Sequence, residues 1–214
     1  YYHSVDVEKY MNGSSEVSVE KFDKGWFFDG AGEEKALIFY PGAKVATEAY
    51  APLMYHLAES GIDCFLVDMP FHMAFFGMNR AEEIMQEYNY EAWYLGGHSL
   101  GGAMAANFAA DYVEDHTDGI RGLLLLAAYP TKDLSTSDMS VVTVYGSEDG
   151  VLNMDKIVAG RELMPQDYKE VCIEGGNHAQ FGSYGAQKGD GTAAIPAEEQ
   201  WARTVEVFVG DESE

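Results

Sequence analysis

The strongest constraint on the fold is the alternation, from residue 36 onward, of short apolar runs with segments of helical periodicity. The apolar runs occupy residues 36–40, 64–69, 92–97, 122–128, 141–146 and 168–175. Most of them are apolar along nearly their whole length, which is typical of parallel strands buried on both faces. The pattern predicts an α/β fold with a mostly parallel central sheet and helices on both faces.

Further elements are predicted around this sheet. Residues 17–30 contain VSVEKF and GWFFDG, which favour an antiparallel β-hairpin at one edge of the sheet. A helix between the first two core strands ends near Gly61, a residue suited to the left-handed C-terminal position. Asn79 and Glu82 have the spacing of a capping arrangement that opens a second helix, and Pro196 opens a closing helix.

Length and charge limit the classes of partner. A chain of 214 residues is expected to form a single domain, residues 1–214, and one active site. Its formal net charge of −23 repels nucleic-acid phosphates and anionic membrane surfaces, so we expect no nucleic-acid partner. The charge itself reflects either solubility or a saline environment. The oligomeric state stays open.

Two further sequence features concern the cysteines and the compartment. Cys64 and Cys172 are too few for a disulfide framework, and both are predicted to be buried free thiols because each lies in a strand-like run. No apolar run is long enough to span a bilayer. The sequence opens at Tyr1 and not at Met, which is compatible with a cytoplasmic protein or with one whose leader or anchor has been removed.

A candidate nucleophile lies directly after the third of these runs, in Gly97-His98-Ser99-Leu100-Gly101. The spacing G-x-S-x-G between a strand and a helix predicts a strained turn that lifts the Ser99 hydroxyl clear of the sheet. The flanking glycines leave room where a Cβ would collide. His98 adjoins Ser99, but neighbouring side chains on such a turn point apart, so His98 is expected to pack beside the site.

A serine hydroxyl needs a base to accept its proton and a carboxylate to hold that base. In a chain with such a nucleophile turn, the acid comes next along the sequence and the base comes last, each in a loop after a later strand. Asp149 comes three residues after Gly146, and His178 comes three residues after Gly175, so both are expected at the sheet edge that carries Ser99. Glu148 is the competing acid.

A tetrahedral oxyanion requires two preorganised N–H donors. One is expected from Leu100, the residue after the nucleophile, and the other from the loop at residues 40–44. Gly42 permits close approach there, so Ala43 is the predicted second donor. Lys44 either adds positive potential to the substrate site or points to solvent.

The substrate site is predicted to be open. Only residues 129–140 lie between the fourth and fifth core strands, too few for a helical lid, so small acyl groups are expected to be preferred. Phe71, Phe75 and Phe76 follow the second core strand and form an apolar cluster with nearby methionines. This cluster either binds substrate or belongs to the buried core.

Five motifs together resemble the compact, cap-less α/β-hydrolases related to dienelactone hydrolase. They are FYPGAKV, VDMPFHMAFFG, GGHSLGGAMAANFA, VYGSED and GGNHAQFGSYG. The resemblance implies an α/β-hydrolase fold, a Ser99–His178–Asp149 triad and hydrolysis of small-molecule carboxylic esters without a metal or organic cofactor. Dienelactone hydrolases usually carry Cys where this chain has Ser99, so their lactone substrate is not expected here.

Other functions are compatible with the same residues. A thioesterase, lactonase or peptidase would use the same triad, because the fold constrains acyl transfer more firmly than the acyl group. A silent binding protein on this scaffold would typically lack a triad member, and none is missing. Residues 182–191 match neither a phosphate-binding nor a calcium-binding loop and predict a flexible connection.

Overall fold

The computed structural model describes residues 1–116 and 119–211. Its strands are β1 (Ser18–Phe22), β2 (Gly25–Asp29), β3 (Lys35–Tyr40), β4 (Asp63–Val67), β5 (Ala92–His98), β6 (Ile120–Leu126), β7 (Ser140–Gly146) and β8 (Tyr168–Ile173). They form one 8-stranded sheet in the order β1-β2-β4-β3-β5-β6-β7-β8. Strands β3 to β8 are parallel, and the hairpin of β1 and β2 adds antiparallel strands beside β4. The predicted sheet and hairpin are confirmed.

Helices cover both faces of this sheet. They are α1 (Glu8–Met11), α2 (Ala51–Glu59), α3 (Arg80–Glu87), α4 (Leu100–Asp115), α5 (Met154–Gly160) and α6 (Ala197–Asp211). Successive side chains of a strand point to opposite faces, so each strand supplies two cores. Leu124 and Leu126 of β6 pack in the core beneath α2 and α6, whereas Leu123 and Leu125 pack beneath α3 and α4.

The helix-end signals are only partly confirmed. Gly61 follows α2 with φ +91°, the left-handed conformation expected at that position. Asn79 precedes α3, but its side chain makes no capping hydrogen bond, so the predicted capping arrangement is wrong although the helix exists. Asn79 follows the turn at Ala74–Phe76 and has φ −84° and ψ 1°. A capping residue needs an extended backbone, which these angles do not provide.

The prediction for the cysteines is correct at one position and wrong at the other. Cys64 lies in β4, between other strands, and is fully buried. Cys172 is exposed, because β8 is the edge strand and helices do not cover it fully. In the described part of the chain, no helix has the length and hydropathy needed to cross a membrane.

The connection from β6 to β7 contains neither helix nor strand between residues 127 and 139. It is held to the body of the protein by Leu134, which is buried and whose N–H donates to the carbonyl of Leu163 at 2.8 Å. The segment therefore packs as a loop beside the sheet, and no helical lid is inserted at this point.

Helix α4 approaches the sheet closely through Gly101. A Cβ at this position would lie 2.1 Å from the carbonyl oxygen of Tyr40 and 2.4 Å from that of Pro41. Both atoms belong to the backbone, which cannot move aside as a flexible side chain would. The contact fixes the first turn of α4 against the end of β3.

Replacing Gly101 by alanine should therefore destabilise the protein by roughly 1–3 kcal/mol or more, since overpacking against backbone strains both elements. Gly210 in α6 is the matched control, because a Cβ there meets nothing within 4 Å. Gly210→Ala should be neutral or stabilise by up to about 1 kcal/mol through helix propensity. Urea unfolding of both variants measures the difference, and equal stabilities would contradict the close approach.

Candidate active site

Ser99 lies on the turn between β5 and α4 with φ 54° and ψ −122°. This backbone conformation is strained for a residue with a Cβ, as the sequence predicts for a nucleophile on such a turn. A Cβ on Gly97 would lie 2.5 Å from the carbonyl carbon of Gly101, so the turn closes only with glycine there. The Ser99 N–H donates to the carbonyl of Leu126 at 2.8 Å, which ties the turn to β6.

Asp149 and His178 are in direct contact. The distance from Asp149 Oδ2 to His178 Nδ1 is 2.8 Å, and both side chains are only 2% exposed. The other carboxylate oxygen of Asp149 accepts the N–H groups of Val151 at 2.8 Å and Leu152 at 2.7 Å. Both oxygens of the Asp149 carboxylate therefore have hydrogen-bond partners within the protein, and Oδ2 faces Nδ1 of His178.

Glu148, the competing acid, has a different environment. Its side chain is exposed and accepts a hydrogen bond from Ser147 Oγ at 3.2 Å. Its N–H donates to the carbonyl of Gly176 at 2.8 Å, so its backbone joins the two loops. The structure therefore brings Asp149, and not Glu148, to the imidazole of His178.

His98 directly precedes Ser99 in the chain, and its ring packs against that of His178. Its ring centroid lies 4.4 Å from that of His178, and its side chain is fully buried. Burial, reinforced by the nearby His178, lowers the pKa of His98 well below its ordinary value, so this imidazole is neutral. Its position beside the site agrees with the sequence interpretation.

Tyr50 joins His98 to the loop before Val45. The Gly42 N–H donates to the Tyr50 hydroxyl oxygen at 3.0 Å, and that hydroxyl is 2.7 Å from His98 Nδ1. In the sequence, Tyr50 has only the spacing of an apolar residue in the helical pattern that ends near Gly61. Its role as a link was missed because the two partners are 48 residues apart, and no local pattern records such a contact.

The two predicted oxyanion donors, Ala43 and Leu100, lie on adjoining segments. Leu100 is the first residue of α4, so its N–H has no acceptor within the helix. Within residues 1–116 and 119–211, neither N–H donates a hydrogen bond to another residue. Lys44 has φ 60°, and its N–H donates to the carbonyl of His72 at 2.8 Å while its side chain is exposed.

The aromatic cluster after β4 is on the surface. Phe71 is 83% exposed, Phe75 48% and Phe76 57%, so these side chains are not core residues. The rings of Phe71 and Phe76 are 5.6 Å apart, and those of Phe75 and Phe76 are 4.3 Å apart. Phe71 and His72 both have positive φ, and the bond from Lys44 to His72 attaches this strained loop to the predicted oxyanion loop.

Comparison with known proteins gives independent evidence of the family to which the chain belongs. A profile described as the alpha/beta hydrolase family matches residues 36–202. No curated protein sequence matches significantly.

In the part of the chain that the structure describes, no group of three or more His, Cys, Asp or Glu side chains is arranged to hold a metal ion.

Several solved structures share the fold at low sequence identity. Est1E from Butyrivibrio proteoclasticus has a TM-score of 0.64 and 15% identity, over 94% of this chain and 100% of that chain. Carboxyl esterase 2 from Tuber melanosporum has a TM-score of 0.66 and 13% identity, over 92% of this chain and 87% of that chain. An esterase from Pyrobaculum calidifontis has a TM-score of 0.68 and 14% identity, over 97% of this chain and 88% of that chain. Since the matched family segment also covers most of the 214 residues, the chain belongs to the alpha/beta hydrolase family.

Proposed function

We propose that this protein is a serine hydrolase of carboxylic esters, with Ser99 as nucleophile, His178 as general base and Asp149 as the carboxylate that orients it. The observation that carries the proposal is the buried 2.8 Å contact between Asp149 and His178 in the loops after β7 and β8. The parallel direction of β5, β7 and β8 supports the proposal, because loops after parallel strands share one sheet edge, and Ser99 directly follows β5. A buried carboxylate on imidazole Nδ1 supports a base whose Nε2 takes a proton.

The reaction would proceed through an acyl-enzyme. Ser99 Oγ attacks the ester carbonyl carbon while its proton passes to His178 Nε2, and Asp149 stabilises the resulting imidazolium. The N–H groups of Ala43 and Leu100 receive the oxyanion. The proton on His178 then goes to the departing alkoxide, and the alcohol leaves.

Water completes the cycle in the mirrored sequence of steps. His178 Nε2 takes a proton from water as that water attacks the acyl carbonyl, and the proton returns to Ser99 Oγ when the carboxylic acid departs. Ser99, His178, the two N–H donors and water account for every bond and proton in this cycle, so the proposed mechanism uses neither a metal nor an organic cofactor. One catalytic domain spanning the chain is sufficient for it.

The substrate class follows from the surface around the site. The segment at residues 127–139 forms no lid, so the cleft is open and offers little wall to a long acyl chain. The exposed rings of Phe71, Phe75 and Phe76 provide an apolar rim for the ester, with Lys44 beside it. Two similar structures bear the names esterase and carboxyl esterase, which supports ester hydrolysis.

The nucleophile is tested with a fluorophosphonate probe. Ser99 should be the labelled residue, because the probe reacts with a serine whose proton a neighbouring base removes. Ser99→Ala should abolish labelling, and Ser135→Ala, at an exposed serine of the β6–β7 connection, should leave it intact. Mass spectrometry of the labelled peptide locates the adduct. Labelling that persists in Ser99→Ala would remove the central claim.

The acid is tested by a matched pair of adjacent substitutions. Asp149→Asn should lower kcat by about three to four orders of magnitude, because an amide in place of the carboxylate favours the wrong imidazole tautomer. Glu148→Gln should change kcat less than about threefold, since its side chain is exposed and does not contact His178. Steady-state kinetics on a nitrophenyl ester measures both. The reverse ranking would assign the acid to Glu148.

The open cleft is tested by varying acyl length. kcat/KM should rise about fourfold per methylene from acetyl to butyryl esters, given about 0.8 kcal/mol for each buried methylene, and then level off. Phe76→Ala should flatten the rise, while Val158→Ala, at an exposed apolar position of α5, should not. A series of nitrophenyl esters measures this. A kcat/KM that climbs to dodecanoyl esters would reveal a deep acyl pocket.

A further inference from the structure

The loop at residues 182–191, which the sequence predicts only as a flexible connection, carries a carboxylate with an unusual set of partners. Asp190 accepts hydrogen bonds from four backbone N–H groups. Asp190 Oδ1 accepts from Gly150 at 3.1 Å, His178 at 3.2 Å and Gly191 at 2.9 Å, and Oδ2 accepts from Ala179 at 2.8 Å. One side chain therefore binds the backbone of the two loops that carry Asp149 and His178.

We propose that Asp190 is a positioning residue that holds the acid loop and the base loop in register. Gly150 directly follows Asp149, and the donors at 178 and 179 belong to the base and its neighbour. Asp149 and His178 meet across these loops at 2.8 Å. Asp190 thus fixes the backbone on both sides of that contact, and the inference rests on the proposed function because it assigns catalysis to the same pair.

The backbone of this loop also packs closely against the loops that carry Asp149 and His178. A Cβ on Gly191 would lie 2.0 Å from the carbonyl oxygen of Glu148, so the loop lies against the acid loop. The Gly191 carbonyl accepts from Asn177 Nδ2 at 2.9 Å, which joins it to the base loop. Asn177 is held in turn by Gln200 of α6, through bonds of 3.0 Å and 2.8 Å.

The hydrogen-bond partners of Asp190 differ from those of Asp149. Its oxygens receive backbone N–H groups, whereas His178 Nδ1 is bonded to Asp149, so Asp190 acts through the loops and not on the imidazole. A carboxylate offers acceptor sites on both oxygens. An asparagine keeps one acceptor oxygen, and its NH₂ would face an N–H donor, so Asn satisfies only one side of the arrangement.

The experiment compares Asp190→Asn with Asp133→Asn. Asp133 is the matched control because its carboxylate also accepts a loop N–H, that of Ser135 at 2.9 Å, in the exposed connection between β6 and β7. For Asp190→Asn we expect kcat to fall roughly 10- to 100-fold with KM within about twofold, since a small misplacement of reacting groups has effects of this size. Asp133→Asn should keep the parent kcat and KM.

A spectroscopic readout reports positioning without substrate. In the parent protein, the proton between Asp149 and His178 should give a far-downfield proton NMR resonance. We expect this resonance to broaden or disappear in Asp190→Asn and to persist in Asp133→Asn. A purely structural role would lower stability while leaving kcat per folded molecule and this resonance unchanged. An unchanged resonance and kcat in folded Asp190→Asn would overturn the proposal.

The parent protein provides a test that does not depend on a variant folding. Hydrogen exchange should show the amides of Gly150, His178 and Ala179 protected, because each donates to Asp190. Exchange as fast as in an exposed loop would also overturn the proposal. If the parent protein fails to react with fluorophosphonate, the proposed function fails, while the resonance and the protected amides still decide the role of Asp190.

Discussion

Ser99 keeps its strained backbone because the first turn of α4 is packed against the ends of β3 and β5. Such a conformation costs on the order of 1–3 kcal/mol and persists only where the surrounding structure over-determines it. Here the N–H bond to Leu126 and the close approach of Gly101 to Tyr40 supply that constraint. The same contact brings the loop after β3 beside the turn, so Ser99 and the predicted oxyanion donors are held by the same packing.

The side chains of Asp149, His178 and His98 are buried next to one another. Two N–H groups and the imidazole of His178 replace the water that the Asp149 carboxylate has lost on burial. His98, which has no carboxylate partner, is neutral because burial lowers its pKa. Asp149 therefore contacts the imidazole of His178, and the ring of His98 packs against that imidazole.

The surface is divided between charge and apolar groups. The net charge of −23 keeps most of the exterior strongly acidic. The large exposed apolar side chains of the described residues are Tyr1, Val5, Phe71, Phe75, Phe76, Val151, Met154 and Val158. They come from the amino-terminal segment, the loop after β4 and the segment after β7, and the first two of these are bonded to the loop that holds Ala43 and Lys44.

The sequence by itself determined the strands, their parallel direction and the turn at Ser99, because apolar runs and glycine spacing are local consequences of burial and backbone geometry. It also predicted Asp149 and His178 as partners, since loops after parallel strands share one edge. Only the tertiary structure decided that Cys172 is exposed and that the Asn79 side chain does not cap α3. It alone revealed the links made by Tyr50 and Asp190, whose partners lie up to 48 and 40 residues away, because hydrogen bonds between distant loops leave no periodic trace in a sequence.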